Sequence, residues 1–180
     1  DLSIYHDAGN SYLSDGGTGN LKITSDGAGV DIDKGTSEHM ASFLTDGAVE
    51  LYYDGTKKIE TASGGISLTG GAAANITSVT QSSGTVTFDF ATSCHKVTLT
   101  QNVTELAAPS NQVVGQSGSI FITQPSSGNY TVAYNAAFKF AGGSTPTAST
   151  SSDAVDRIDY VVFSSNVIHA VMSLDVKTGT

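Results

Sequence analysis

This 180-residue chain has one cysteine, Cys94, a charged fraction of only 14% and no long apolar run. Each shortage excludes something. A lone cysteine rules out an intrachain disulfide, so stability has to come from packing or from assembly. Cys94 itself reads as a small, half-buried side chain at a strand edge. No stretch approaches the roughly 20 apolar residues of a bilayer-spanning helix, and no signal-peptide pattern opens the chain, so membrane insertion is not expected. No run resembles a long amphipathic helix. Bases are scarce as well: eight Lys and Arg stand against 17 Asp and Glu, for a net charge of −9. Residues 1–74 hold 11 of the acids and four of the bases, which leaves −7 there and −2 in the rest. A surface of that sign repels phosphate and excludes nucleic acid as a partner.

Motifs that carry chemistry are missing too. No nucleophile elbow of the GxSxG kind occurs. The acidic stretch Asp26-Gly27-Ala28-Gly29-Val30-Asp31-Ile32-Asp33 lacks the ligand order and closing Glu of an EF-hand and reads as solvated turn carboxylates. His6, His39, His95 and His169 are isolated, without a His-x-His pair, and are expected at surfaces or interfaces rather than on a metal. Asp153, Asp156 and Asp159 form the one acidic cluster of the distal half. Their place at a strand entry favours capping and solvation over the opposed carboxylates of a glycoside hydrolase. The expectation is a protein that is not an enzyme, with no catalytic residue, no cofactor and no metal.

What is present is glycine, 20 residues of it, among abundant Ser, Thr and Asn: the usage of an all-β protein with many turns. Alternating runs at 50–53 and 57–61 flank Asp54-Gly55, a dipeptide suited to a tight type I′ turn, and a third strand is expected at 66–69. Leu51-Tyr52-Tyr53-Asp54-Gly55 echoes Ile4-Tyr5-His6-Asp7-Ala8 about 47 residues earlier, and Ser63-Gly64-Gly65 echoes Asp15-Gly16-Gly17, so the first third of the chain is a repeat. Short strands are expected at 3–6, 11–14 and 20–24. Residues 36–44 fit either a helix capped at Thr36 or Ser37 or a strand paired through Asp46-Gly47; the turn dipeptide favours the strand. Small residues at 70–75 mark a linker, giving an expected division into 1–74 and 75–180.

The phrases at 1–23 and 46–70, DLSIYHDAGNSYLSDGGTGNLKI and DGAVELYYDGTKKIETASGGISLTG, resemble the modules of virion fibre and tail-fibre proteins of tailed bacteriophages, particularly those of marine bacteria. The likeness is clearest over about the first 70 residues. A looser one runs through Gly115-Gln116-Ser117-Gly118 and Phe140-Ala141-Gly142-Gly143. The resemblance implies an elongated structural protein of a phage particle, in a tail or capsid fibre, with other virion proteins and a bacterial surface glycan or protein receptor as partners. A purely structural or decoration module, a bacterial surface adhesin or filament subunit, and a depolymerase are the competing readings. Because the chain opens on what already reads as a strand, without an initiator Met, a piece of a longer polypeptide is expected.

Burial supplies an independent argument. The first 70 residues offer about fifteen sizeable apolar side chains, too few to offset an ordering cost of about 1–2 kcal/mol per residue in a lone chain. Obligate oligomerisation follows, and the phage resemblance makes a homotrimer the first choice. The expected architecture is a trimeric fibre, with a shaft of short repeated strands at 1–74 and an antiparallel β-sandwich knob at 75–180. Beyond Ile76 the alternation lengthens through Val86, Phe88 and Phe90, Val97 and Leu99, Ile120 and Ile122, and the hairpin 157–163 with 166–174 joined by Ser164-Ser165. Its last strand is apolar on both faces, so Val167, His169 and Val171 are expected to meet a neighbouring subunit, together with Leu51, Tyr53, Ile66 and Leu68 of the shaft. A helical turn is expected at 151–156, after the long loop 141–152. Aromatic rings stack on sugars, so Tyr130 and Tyr134 beside Asn129 and Asn135 are the candidate glycan or receptor contact, although most of the nearby rings should be core.

Overall fold

A computed structural model describes residues 2–176. The protein is all-β: sixteen strands, one 3-10 turn at Ala141–Gly143, and no α-helix among the described residues. Two compact units divide it, Asp1–Ala72 and Ala73–Thr180, and the division falls inside the small-residue stretch 70–75.

Unit 1 contains two separate sheets. Strands β1 (Leu2–His6) and β2 (Ser11–Asp15) pair as a lone antiparallel hairpin, with Tyr5 and Tyr12 stacked at 4.6 Å. The Asp7 carboxylate organises its turn, accepting from the Gly9 and Asn10 N–H groups and the Tyr12 hydroxyl, and these bonds hold the Asp7 carboxyl below its usual range. Strands β3 (Gly29–Lys34), β4 (Glu38–Leu44), β5 (Val49–Tyr53), β6 (Thr56–Ala62) and β7 (Gly65–Leu68) follow as a five-stranded antiparallel meander in chain order. Asp54 and Gly55, at φ 50° and 67°, supply the two positive-φ positions that a type I′ turn demands. Residues 38–44 are a strand, so the turn at Asp46-Gly47 outweighed the helical spacing. The expected strand at 20–24 does not form. Leu21 and Ile23 alternate correctly, but no neighbouring strand gives their backbone a ladder.

Unit 2 is wound differently from the antiparallel knob expected. Strands β8 (Ile76–Thr80), β10 (Cys94–Thr98) and β12 (Ser117–Thr123) lie side by side and parallel in one sheet. The strand that follows each of them in sequence, β9 (Thr85–Val86), β11 (Val103–Leu106) and β13 (Val132–Tyr134), lies parallel to its fellows in a second sheet. The chain thus crosses from sheet to sheet and returns beside itself. Strands β14 (Phe138–Phe140), β15 (Val155–Ser164) and β16 (Val167–Ser173) complete the larger sheet in the order β14-β16-β15-β12-β10-β8. Among the described residues of this unit only β12–β15 and β15–β16 pair antiparallel. Alternation reports which side chains face inward and is blind to the direction of the neighbouring strand, which is why the winding was not legible.

The core lies between these sheets. Along β15, Asp156, Ile158, Tyr160 and Val162 point inward; they meet Ile120 and Ile122, Ile168 and Ala170 from neighbouring strands and Val86, Val103 and Leu106 from the other sheet. Phe90 stacks on Tyr160 at 4.3 Å. Gly118 is required here: a Cβ on it would sit 1.7 Å from the Ser93 carbonyl oxygen, which already accepts from the Ser119 N–H and the Tyr160 hydroxyl. The last hairpin turns at Ser165-Asn166, one residue later than expected, because β15 runs through Ser164 and Asn166 takes the positive φ. Residues 151–154 form a turn, not helix, with Asp153 at φ 57°.

Candidate functional site

The registers of the meander sort its side chains into two unlike faces. On one, Val30, Phe43, Val49, Thr61 and Ile66 form a row across the five strands, and Ile32, Ala41, Leu51, Ile59 and Leu68 form the next, with Tyr53 beyond them. This face is almost wholly apolar and almost wholly uncovered: Tyr53 is 75% exposed, Ile66 72% and Leu51 43%. Leu51, Tyr53, Ile66 and Leu68, the four shaft residues assigned to an interface from the sequence, all lie on it. The lone hairpin β1–β2 likewise exposes Leu2, Ile4 and Leu13.

The opposite face carries Asp31, Ser42, Glu50, Glu60 and Ser67 in a row, and the charges at its centre are paired within the face. Lys57 bridges Glu60 and Glu50, which raises its pKa, and the Tyr52 hydroxyl donates to Glu50 at 2.5 Å. That bond, then Lys57, lowers the Glu50 carboxyl. His39 bonds Asp33 at 2.8 Å. A polar face with its partners in place needs only water, whereas an apolar face needs a cover.

The other interface residues lie on the outer face of the six-stranded sheet, where Val167 is half-buried and His169 and Val171 are exposed. The Phe163 ring lies flat on His169, 4.7 Å away. Here the sheet forms an open groove of about 770 Å³, with Val161 and Val171 in its lining, Ser117, Ser119 and Asp159 along it, and Lys139, Phe140 and His169 at β14–β16. Asp159 is internally satisfied: Ser119 Oγ donates to Oδ1 at 2.6 Å, and Arg157 holds Oδ2 from Nε and a terminal nitrogen at 3.0 and 2.9 Å.

The four candidate glycan contacts are divided. Asn129 occupies an exposed positive-φ turn, and the Tyr130 backbone N–H and carbonyl are both bonded to the buried Gln124 side chain. Tyr134, half-buried, directs its hydroxyl to Met172 Sδ, and burial pushes that phenol well above its ordinary pKa. Asn135 donates to Glu105 and receives the Ala137 N–H. The polar groups of Tyr134 and Asn135 are therefore engaged within the fold.

Three other sequence expectations are corrected. His95, expected at a surface or interface, is fully buried beside Phe88 and Phe90. Its Nε2 faces the Thr92 carbonyl at 2.9 Å and must carry the proton; Nδ1 has no partner, and burial lowers the pKa. Its inward parity on β10 was a usable signal. Asp156, expected to be solvated, is also buried and accepts from the Ser149 and Asp175 N–H groups, tying the long loop and the chain after β16 to β15. Cys94 is half-buried, but its strand lies inside the sheet between β8 and β12 and not at an edge. Among the described residues no three His, Cys, Asp or Glu side chains gather as a metal would require, and no helix is long and apolar enough to cross a membrane.

These features define an all-β chain of two units, one with an uncovered apolar sheet face and one with a complete core and a shallow outer groove. No family model, no curated protein and no solved structure matches it.

Proposed function

We propose that the chain is a structural fibre protein of a tailed-phage particle, a tail or capsid fibre. In this reading three copies assemble through unit 1, and unit 2 makes the contact with the host cell surface. The observation that carries the assembly is the uncovered face of the β3–β7 sheet. Its exposed apolar side chains present on the order of 800 Å² per chain, about what each partner contributes to a stable interface. Three such faces suit a triangular prism. Five strands span roughly 20 Å, which places each sheet about 6 Å from a common axis, close to half the ~10 Å spacing of packed sheets. The prism also brings the edge strand β3 of one copy toward β7 of the next, which shields edges that otherwise invite uncontrolled pairing. The phage assignment rests on the resemblance of the repeats at 1–23 and 46–70.

Light scattering on the purified chain tests the assembly. The expected mass is three times the 18.4 kDa of one chain. A monomer in dilute solution with unit 1 fully folded overturns the proposal. Labelling of intact particles with an antibody to unit 2 tests the location, and signal on bacterial surfaces instead of virions overturns the phage assignment.

A further inference from the structure

We infer that the groove on the outer face of the six-stranded sheet is a binding site for an acidic saccharide. The inference deepens the attachment role above and rests on it. Four observations converge. The groove, about 770 Å³, has the size of a small-ligand site, and it lies outside the buried core of unit 2. Most of its floor is formed by β12, β15 and β16, interior strands whose ladders leave no free edge, and only its Lys139 end reaches the edge strand β14. An extended peptide, which binds by adding to an edge, gains nothing from such a floor. A sugar does, because it needs side chains alone: apolar surface for its C–H face and hydroxyls or charges for its rim. Val161 and Val171 supply the first, Ser117, Lys139 and His169 the second, while the Phe140 ring turns inward onto the core.

The charge specifies the class. Lys139 and His169 are direct neighbours across the β14–β16 pair, and no carboxylate pairs with Lys139 among the described residues. The one acid in the lining, Asp159, has both oxygens occupied by Ser119 and Arg157. In a chain of net charge −9 this leaves one end of the groove without a counter-charge, and a ligand carboxylate or sulfate provides it. Phe163, flat against His169, holds the imidazole in place.

Calorimetry on the full chain with three hexasaccharides tests the site: galacturonic acid oligomer, a sulfated galactan oligomer and neutral maltohexaose. At least one acidic oligomer should bind and maltohexaose should not. Lys139→Ala should weaken the acidic ligand about tenfold, the loss expected for one charged hydrogen bond, while Lys139→Arg retains most of the affinity. Val171→Trp should block the groove with no change in mass by light scattering. Equal binding of neutral and acidic sugars, no binding of either acidic oligomer, or an unchanged affinity in Lys139→Ala overturns the inference. A lower oligomeric mass in Val171→Trp also overturns it, since the groove would then hold a second copy of the chain. Failure of the assembly proposal shows separately, as a monomeric wild-type mass whatever the sugars do.

Discussion

Unit 1 and unit 2 use the same vocabulary of short alternating strands and reach opposite ends. Among the described residues, Ala41 and Ser42 are the only buried ones of unit 1, and every other buried apolar side chain belongs to unit 2. The difference lies in what stands opposite each sheet. The β3–β7 meander has an apolar face with nothing from its own unit across it, whereas the larger sheet of unit 2 faces a second sheet that the same chain supplies on every crossing. A hydrophobic face stabilises a fold only when water leaves both sides of the contact. Unit 2 therefore buries its own core, whereas unit 1 leaves the apolar face of its larger sheet to water, the face on which the proposed assembly rests.

The comparison breaks most sharply at Leu51. Leu51→Asp sets a charge in the middle of the apolar face, and the expected result is loss of assembly together with loss of ordered unit 1, read by light scattering and circular dichroism; unit 2 should still melt cooperatively. An unchanged mass would show that the face is not the contact. Phe90→Ala should have the reverse selectivity. Removing a ring packed on Tyr160 and His95 should cost about 3–5 kcal/mol in unit 2, seen in denaturant unfolding, with the oligomeric mass retained.

A smaller effect distinguishes the units by pH. Burial lowers the pKa of His95, so the folded ring stays neutral while the unfolded ring takes up a proton near pH 6.5. The stability it contributes is therefore fully present above about pH 6.5 and is lost as the pH falls below that value, by up to about 1.4 kcal/mol per pH unit until the lowered folded pKa is reached. Melting of unit 2 between pH 7.5 and 5 should show this slope, and His95→Phe should flatten it. Least costly is Gly55→Ala in the type I′ turn, where a Cβ at φ 67° should cost about 1 kcal/mol and leave the assembly intact but less heat-stable.

Local features of the fold were legible because their causes are local. Asp54-Gly55 specifies its turn by its tolerance of positive φ, and Asp46-Gly47 decided between helix and strand for residues 38–44. The inward side chains Val97, Leu99, Ile120 and Ile122 were visible as alternation. Val86, Phe88 and Phe90 are buried in alternation too, although only Thr85–Val86 is a strand, since burial depends on where a side chain points and not on a continuous ladder. Leu21 and Ile23 mark the converse, a correct pattern without a partner. Of the site, the apolar character of Leu51, Tyr53, Ile66 and Leu68 could be read directly, but not that the registers of neighbouring strands bring them to one face. The groove was illegible, because Lys139, Asp159 and His169 are brought together only by the order of strands in the sheet.

The sequence by itself determined that the chain is β-structured, where most of its turns lie, and that its first part is poor in apolar side chains. Those properties depend on backbone preferences and composition, which every residue carries with it. Only the tertiary structure decided the parallel winding of unit 2, the burial of His95 and Asp156, and which side chains share a face, because each depends on which strand lies next to which, and period-two alternation is the same whichever neighbour is chosen.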